Sequence, residues 1–198
     1  ALPICCTSGY LTGIIVRQYV QLIDMIPIIN TKLKNYSTFD YRRYAFEVSV
    51  DYATDLDKAV EIYSIILNSE PTPPAPVLAV IHKHRGMAYF AQNNYTASLE
   101  DFQASVISDP NAFRSYYYIG IVLSIMNKHE EAIQAYSESI RINEYQSHAH
   151  FRRAVSYYKL GDFDNALKDL TDAQSLGLND SETETLHAKL MEKFGMKM

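Results

Sequence analysis

The sequence predicts a solenoid with three tandem repeats, and three observations predict it. Gly86, Gly120 and Ala154 recur at a constant interval, each followed by an aromatic or aliphatic residue three positions on, a small residue twelve on and an apolar residue sixteen on. The copies this register defines, 79–112, 113–146 and 147–180, abut without a gap. Turn-forming pairs recur at one place in each, at Asn93-Asn94, Asn127-Lys128 and Gly161-Asp162. A fixed period of this size is the mark of a stacked repeat architecture.

Within each copy small and bulky positions alternate. Counting from the first residue of a copy, position 8 is Gly86, Gly120 and Ala154, position 20 is Ser98, Ala132 and Ala166, and position 27 is Ser105, Ser139 and Ala173. Position 11 (Tyr89, Leu123, Tyr157) and position 24 (Phe102, Tyr136, Leu170) are bulky. Small against large is how packed layers interdigitate. On these positions the chain resembles the tetratricopeptide repeat (TPR) family, whose unit is an antiparallel helix pair of about 34 residues. The resemblance implies an all-α fold, a right-handed superhelical solenoid of antiparallel helix pairs. The helices of a unit would cross closely at positions 8 and 20, while position 27 faces the next unit. Pro110 keeps the family's closing position. The departures are His82, Tyr116 and His150 in place of Trp at position 4, and Glu144 and Leu178 in place of the closing Pro.

The flanks extend the array. Residues 40–78 read as a degenerate copy aligned on Asp40, with Ala59, Tyr63 and Pro71 in register but Glu47 and Ile66 at positions expected to be small. Its junction, Pro71-Thr-Pro-Pro-Ala-Pro76, is five residues longer than the register requires, and prolines this dense predict an extended, non-helical connector. Residues 181–198 predict a capping helix. Ser181-Glu-Thr-Glu184 places acidic residues in a first turn, and Leu186, Leu190 and Phe194 form a narrow apolar stripe. A solenoid end needs such an element with a polar outer side.

Residues 1–39 differ in character. Ile15, Tyr19, Leu22, Ile26, Ile29 and Leu33 form a helical stripe, with Pro27 expected to kink or end the helix. Arg17, Gln18, Gln21 and Asp24 interrupt it, so no transmembrane span is expected. The pattern over residues 10–33 suits docking on the repeats, on a partner or on a membrane surface alike.

Composition sets further bounds. At 198 residues the chain is long enough for a substantial core, and 47% apolar content with a formal charge of -5 describes an ordinary soluble protein and disfavours bulk nucleic-acid binding. The two cysteines, Cys5 and Cys6, are neighbours, giving neither a disulfide framework nor a metal-binding pattern. No basic region precedes the apolar stretch, so no intact secretory signal is read, and a cytoplasmic or organellar compartment is expected. The start at Ala1 suits a processed or truncated product. The sequons at Asn35, Asn94 and Asn179 read as coincidental in a chain without disulfides. His82 and His84, like His148 and His150, are two apart on expected helices, about 200° around the axis, so neither pair can share a metal. With no Gly-rich phosphate loop and no nucleophile motif, no catalytic residue, cofactor or metal is expected.

The function expected is therefore binding. The resemblance implies that positions 2, 5, 6, 9, 12 and 13 of each unit's first helix line the concave groove. The candidate contact residues are Lys83, His84 and Met87 from the first copy, and Arg114, Tyr117, Tyr118 and Ile121 from the second. His148, Arg152, Val155, Tyr158 and Lys159 come from the third. None of the eighteen groove positions is acidic, in a chain with 23 acidic and 18 basic residues. That implies a protein or peptide partner with an acidic or carboxylate-bearing, partly apolar segment, in the manner of an adaptor or co-chaperone. Some members of the family hold the C-terminal carboxylates of Hsp70 or Hsp90 in a clamp of five residues. Lys83 and Arg152 match that set, whereas Met87, Tyr118 and His148 do not, so a different peptide is favoured. The alternative is a structural or assembly subunit of a larger complex, with or without a membrane, anchored through the N-terminal helix.

Overall fold

At position 8 of the first two repeats the register places a glycine where the two helices of a hairpin approach closely. In the computed structural model, which describes residues 56–68 and 72–195, a Cβ added at Gly86 would lie 3.0 Å from the ring of Phe102. One added at Gly120 would lie 2.6 Å from Tyr136 Cδ1 and closer still to Cε1. Phe102, Tyr136 and Leu170, the position-24 residues, are wholly buried, and so is Ala154. Small and bulky positions thus mesh as the repeat pattern predicts.

Eight helices run in order among the described residues, with no strand. They are α1 (Leu56–Leu67), α2 (Ala75–Ala91), α3 (Tyr95–Ser108), α4 (Phe113–Ile125), α5 (His129–Ile142), α6 (Ser147–Leu160), α7 (Phe163–Ser175) and α8 (Ser181–Lys193). Each packs on its neighbour in sequence, and α2/α3, α4/α5 and α6/α7 are the three hairpins. The described residues belong to one compact unit, Asp55–Met198. The expectations for residues 1–39 and for the first helix of the upstream hairpin lie outside the described residues.

The turn dipeptides divide their work. Asn93, Asn127 and Gly161 take left-handed backbone conformations, with φ of 59°, 60° and 80°, which stops the preceding helix. The next amide then reaches back to a helix carbonyl: Asn94 to Tyr89 and Lys128 to Leu123 at 2.9 Å, Asp162 to Tyr157 at 3.0 Å. Asn94 and Asp162 also start the following helix, their side chains accepting from the amides of Ala97 and Asn165.

Buried serines at the small positions donate to carbonyls that face them. Ser98 bonds to the Gly86 carbonyl at 2.9 Å, while Ser105 and Ser139 bond to those of Ala79 and Phe113 at 2.7 Å. A hydroxyl of this size keeps the crossing tight and leaves no orphaned polar atom. Ser105 also meets the Ser115 hydroxyl at 2.7 Å, tying the first repeat to the second.

Two expectations are corrected. The Pro-rich junction is not extended throughout, because α2 begins at Ala75 and Pro76 lies inside its first turn. A first turn has no intrahelical partner for its amides, so a proline costs nothing there. Pro74 serves as the N-cap, its carbonyl accepting from Val77 at 2.8 Å and Leu78 at 3.0 Å. At the other end, Leu186 and Leu190 of α8 are buried and complete the core of the last hairpin. Phe194 is exposed, because the helix stops at Lys193. The start of α8 is fixed by a reciprocal cap in which Asp180 accepts from the Thr183 amide and Thr183 Oγ1 accepts from the Asp180 amide. No described helix is long and apolar enough to cross a membrane.

The glycine crossings are directly testable. Gly120→Ala should destabilise the protein by roughly 1–3 kcal/mol from overpacking against the buried Tyr136 ring, despite alanine's better helix propensity. Gly86→Ala, with its longer contact to Phe102, should cost less. Urea denaturation of the two variants gives the ranking, and a reversed order would contradict this packing.

Candidate functional site

The helices α2, α4 and α6 carry the predicted contact residues, and their surroundings differ. Arg114, His148, Arg152 and Lys159 are exposed, whereas Lys83, Met87, Tyr117, Tyr118, Ile121, Val155 and Tyr158 are half-buried. The arginines are braced on neighbouring rings, Arg114 over Phe113 at 5.8 Å and Arg152 over Phe151 at 5.6 Å. Tyr118 stacks on Phe102 of the preceding hairpin at 5.1 Å, and Tyr117 meets Tyr118 edge-on at 5.6 Å. Tyr118 therefore joins the first repeat to the second. Burial pushes the Tyr117 phenol up, opposed by the nearby Arg152 guanidinium.

His84 is placed differently from the other candidates. It is 9% exposed and stacks on Tyr63 of α1 at 6.2 Å, and its Nε2 has no hydrogen-bond partner. Burial, reinforced by the charges of Lys83 and Arg114, lowers its pKa to about 3. It is a neutral packing residue between the upstream helix and the first repeat, not a surface for a ligand.

The largest polar feature falls outside the predicted contact residues. Arg85 Nε and Nη2 donate to the two carboxylate oxygens of Asp101 at 2.7 Å, Arg85 Nη1 donates to Ser64 Oγ at 2.9 Å, and His82 Nδ1 lies 2.8 Å from Asp101 Oδ1. The same four-residue arrangement recurs two repeat lengths later. Arg153 donates to Asp169 at 2.6 and 2.7 Å and to Ser137 Oγ at 2.9 Å, with His150 Nδ1 3.3 Å from Asp169 Oδ1. In both cases the arginine joins the two helices of its own hairpin and reaches back to the hairpin before. Ser64 and Ser137 share repeat position 25 when the upstream copy is aligned on Asp40. The middle repeat has Tyr116, Ile119 and Ala135 at the corresponding positions, with Ile119 and Ala135 buried.

At two of the three position-4 departures, His82 and His150, the side chain pairs with an aspartate at position 23. The sequence carries the signal as a His-x-x-Arg motif followed further along by Asp at a fixed offset, at His82/Arg85/Asp101 and His150/Arg153/Asp169. Burial alone would raise the Asp101 and Asp169 carboxyls, but the hydrogen bonds from arginine and histidine outweigh it and hold both low. His150, Asp169 and Asp172 also place three potential metal-ligand atoms within 4.8 Å of one another. Both oxygens of Asp169 are already committed to Arg153, and His82 and Asp101 form the same contact without a third carboxylate, so the cluster reads as a structural ion pair.

The fold defines a class, a protein built from repeated helical hairpins. Residues 85–147 and 126–177 match the family model of the tetratricopeptide repeat, and the repeat region of this chain belongs to the TPR family. The chain is 29% identical over 117 residues to the tetratricopeptide repeat and J domain-containing co-chaperone DNJ1 of Cryptococcus neoformans, covering 59% of this chain and 22% of that protein. Among solved structures, the first TPR of Spaghetti (RPAP3), bound to the HSP90 peptide SRMEEVD, aligns with a TM-score of 0.59 at 19% identity, over 61% of this chain and 95% of that one. A tetratricopeptide repeat protein from Parabacteroides merdae aligns with a TM-score of 0.67 at 17% identity, over 77% and 60%. The chain thus corresponds to a small part of its curated relative, and the structural likenesses concern the fold.

Two outcomes follow from the buried polar groups. Asp169→Asn, which leaves Arg153 without its charge partner, should cost about 3 kcal/mol in urea denaturation. Arg141→Gln, which removes the exposed pair of Arg141 with Glu138, should change nothing measurable. Because the folded state disfavours charged His84, its contribution to stability is present above the ordinary histidine pKa and is lost as pH falls from about 6.5 towards 3. Wild type should therefore lose roughly 1–2 kcal/mol more than His84→Phe between pH 7 and pH 5. Parallel loss in both proteins would contradict the buried neutral imidazole.

Proposed function

We propose that the TPR array is a non-catalytic interaction module that binds an acidic or carboxylate-bearing, partly apolar segment of a partner protein along the face of α2, α4 and α6. The observation that carries this reading is the charge of that face. Arg114, His148, Arg152 and Lys159 are exposed on it, and none of its eighteen positions is a carboxylate, although the chain as a whole carries a net charge of -5. An arginine held over a ring is pre-oriented for the paired N–H···O contacts a carboxylate offers. Tyr117, Tyr118 and Tyr158 supply rigid contact area and a polar tip, the surface a mixed acidic and apolar segment requires.

The matched structure with an HSP90 peptide ending in Glu-Glu-Val-Asp supports this reading by analogy of fold, and the match to a co-chaperone points the same way. Met87 and Tyr118 replace the asparagines of the carboxylate clamp, so side-chain amide bonds to a terminal carboxylate are not available at those positions. The ligand's charge is then met by Arg114 and Arg152 and its apolar part by Met87, Ile121 and Val155.

Fluorescence anisotropy with labelled SRMEEVD and its Glu/Asp-to-Gln/Asn counterpart tests the reading on the full chain. Wild type should prefer the acidic peptide, with affinity falling as salt rises. Neutralising Lys83, Arg114 and Arg152 together should weaken binding roughly tenfold or more, given the strength of charge-assisted hydrogen bonds. Equal affinity of wild type and the triple variant would sink the groove assignment.

A further inference from the structure

The two ends of the cationic face are not equivalent, because the capping helix brings carboxylates to one of them. Glu182, in the first turn of α8, places Oε2 3.7 Å from Arg152 Nη2, and both side chains are open to solvent, at 63% and 44% exposure. Asp180, the N-cap of the same helix, is held low chiefly by the Thr183 amide, with a contribution from the nearby His148. Arg152, near the start of α6, is therefore faced by a carboxylate from the first turn of α8. Asp180 is fixed by its capping hydrogen bonds. Glu182 is not fixed in that way.

The geometry of the Glu182 pair is loose. Arginine and carboxylate in a tight pair approach to about 2.7–2.9 Å, as Arg85 does to Asp101 and Arg153 to Asp169. At 3.7 Å across an exposed gap the contact between Arg152 and Glu182 is electrostatic and easily exchanged. A helix N-terminus attracts negative charge, so the first turn of α8 is a favourable place for a carboxylate that faces Arg152.

We propose that Glu182 is a specificity-determining residue, an internal carboxylate that occupies Arg152 in the free protein and must be displaced by the ligand's own. This inference rests on the acidic-segment reading above. Its consequence is selection: a ligand gains at Arg152 only if its carboxylate binds the guanidinium better than Glu182 does. A segment that presents a carboxylate in paired N–H···O geometry meets that condition, whereas one with diffuse negative charge does not.

The test is the affinity of full-length Glu182→Gln for labelled SRMEEVD, beside Glu184→Gln as a control that removes one charge from the same exposed turn. Glu182→Gln should bind about two- to five-fold more tightly than wild type, the range set by an exposed ion pair. Glu184→Gln should bind as wild type does, and the gain should vanish in an Arg152→Gln background. Unchanged or weaker binding by Glu182→Gln, or an equal gain from Glu184→Gln, overturns the inference while leaving the groove reading intact. If wild type shows no preference for the acidic peptide and neutralising the cations changes nothing, the groove reading fails and this inference falls with it.

Discussion

The distance between the two helices of a hairpin governs what else this chain can do. Gly86, Gly120 and Ala154 let each pair of helices approach until the ring or side chain at position 24 fills the space beside them. Close-packed interiors transmit small displacements instead of absorbing them. Because the same crossing recurs once in every repeat, the first helices of successive hairpins are set in register and present equivalent faces. The first helices carry Arg114 and Arg152 at repeat positions 2 and 6 of their copies.

The buried staples add a second, less regular layer of order. The upstream helix is tied to the first repeat through Arg85 and the second repeat to the third through Arg153, whereas the first and second meet through Phe102, Tyr118, Ser105 and Ser115. A buried charge pair is costly unless every donor and acceptor is satisfied. Here the arginine spends its donors on one aspartate and one serine, so the arrangement is geometrically demanding and fixes which helix lies beside which. The seam between the first and second repeats, stacked rings and one buried serine pair without a charge, makes fewer such demands.

Much of this is legible in the sequence, and what is not has physical causes. The register yields the helices, the turns and the buried position-24 residues because those depend on size and local backbone chemistry, which repeat. Ala75 and Pro76 look extended when proline density is weighed by itself, yet a first helical turn accommodates them. Position number alone assigns His84 to the ligand surface; the face it occupies is covered by Tyr63, a side chain from the degenerate copy where register is least clear. The staples are hidden while His82 and His150 are compared only with the residue they replace, and Asp101 and Asp169, far along the chain, show why they are there. Phe194 departs from expectation for the reason that helix ends commonly do: the stripe continues in sequence for one residue after the helix has stopped.

The absence of carboxylates from the face of α2, α4 and α6 and the presence of Asp180 and Glu182 beside it have a common physical reading. A solenoid must close its last hairpin with a helix whose outer side is polar, and acidic residues are favoured at that helix's first turn by its own dipole. Leu186 and Leu190 fix the helix against the last hairpin, and the capping hydrogen bonds fix its start. The acidic turn therefore falls at the edge of the cationic face through the geometry of capping. The element that closes the last hairpin thus also places Glu182 3.7 Å from Arg152.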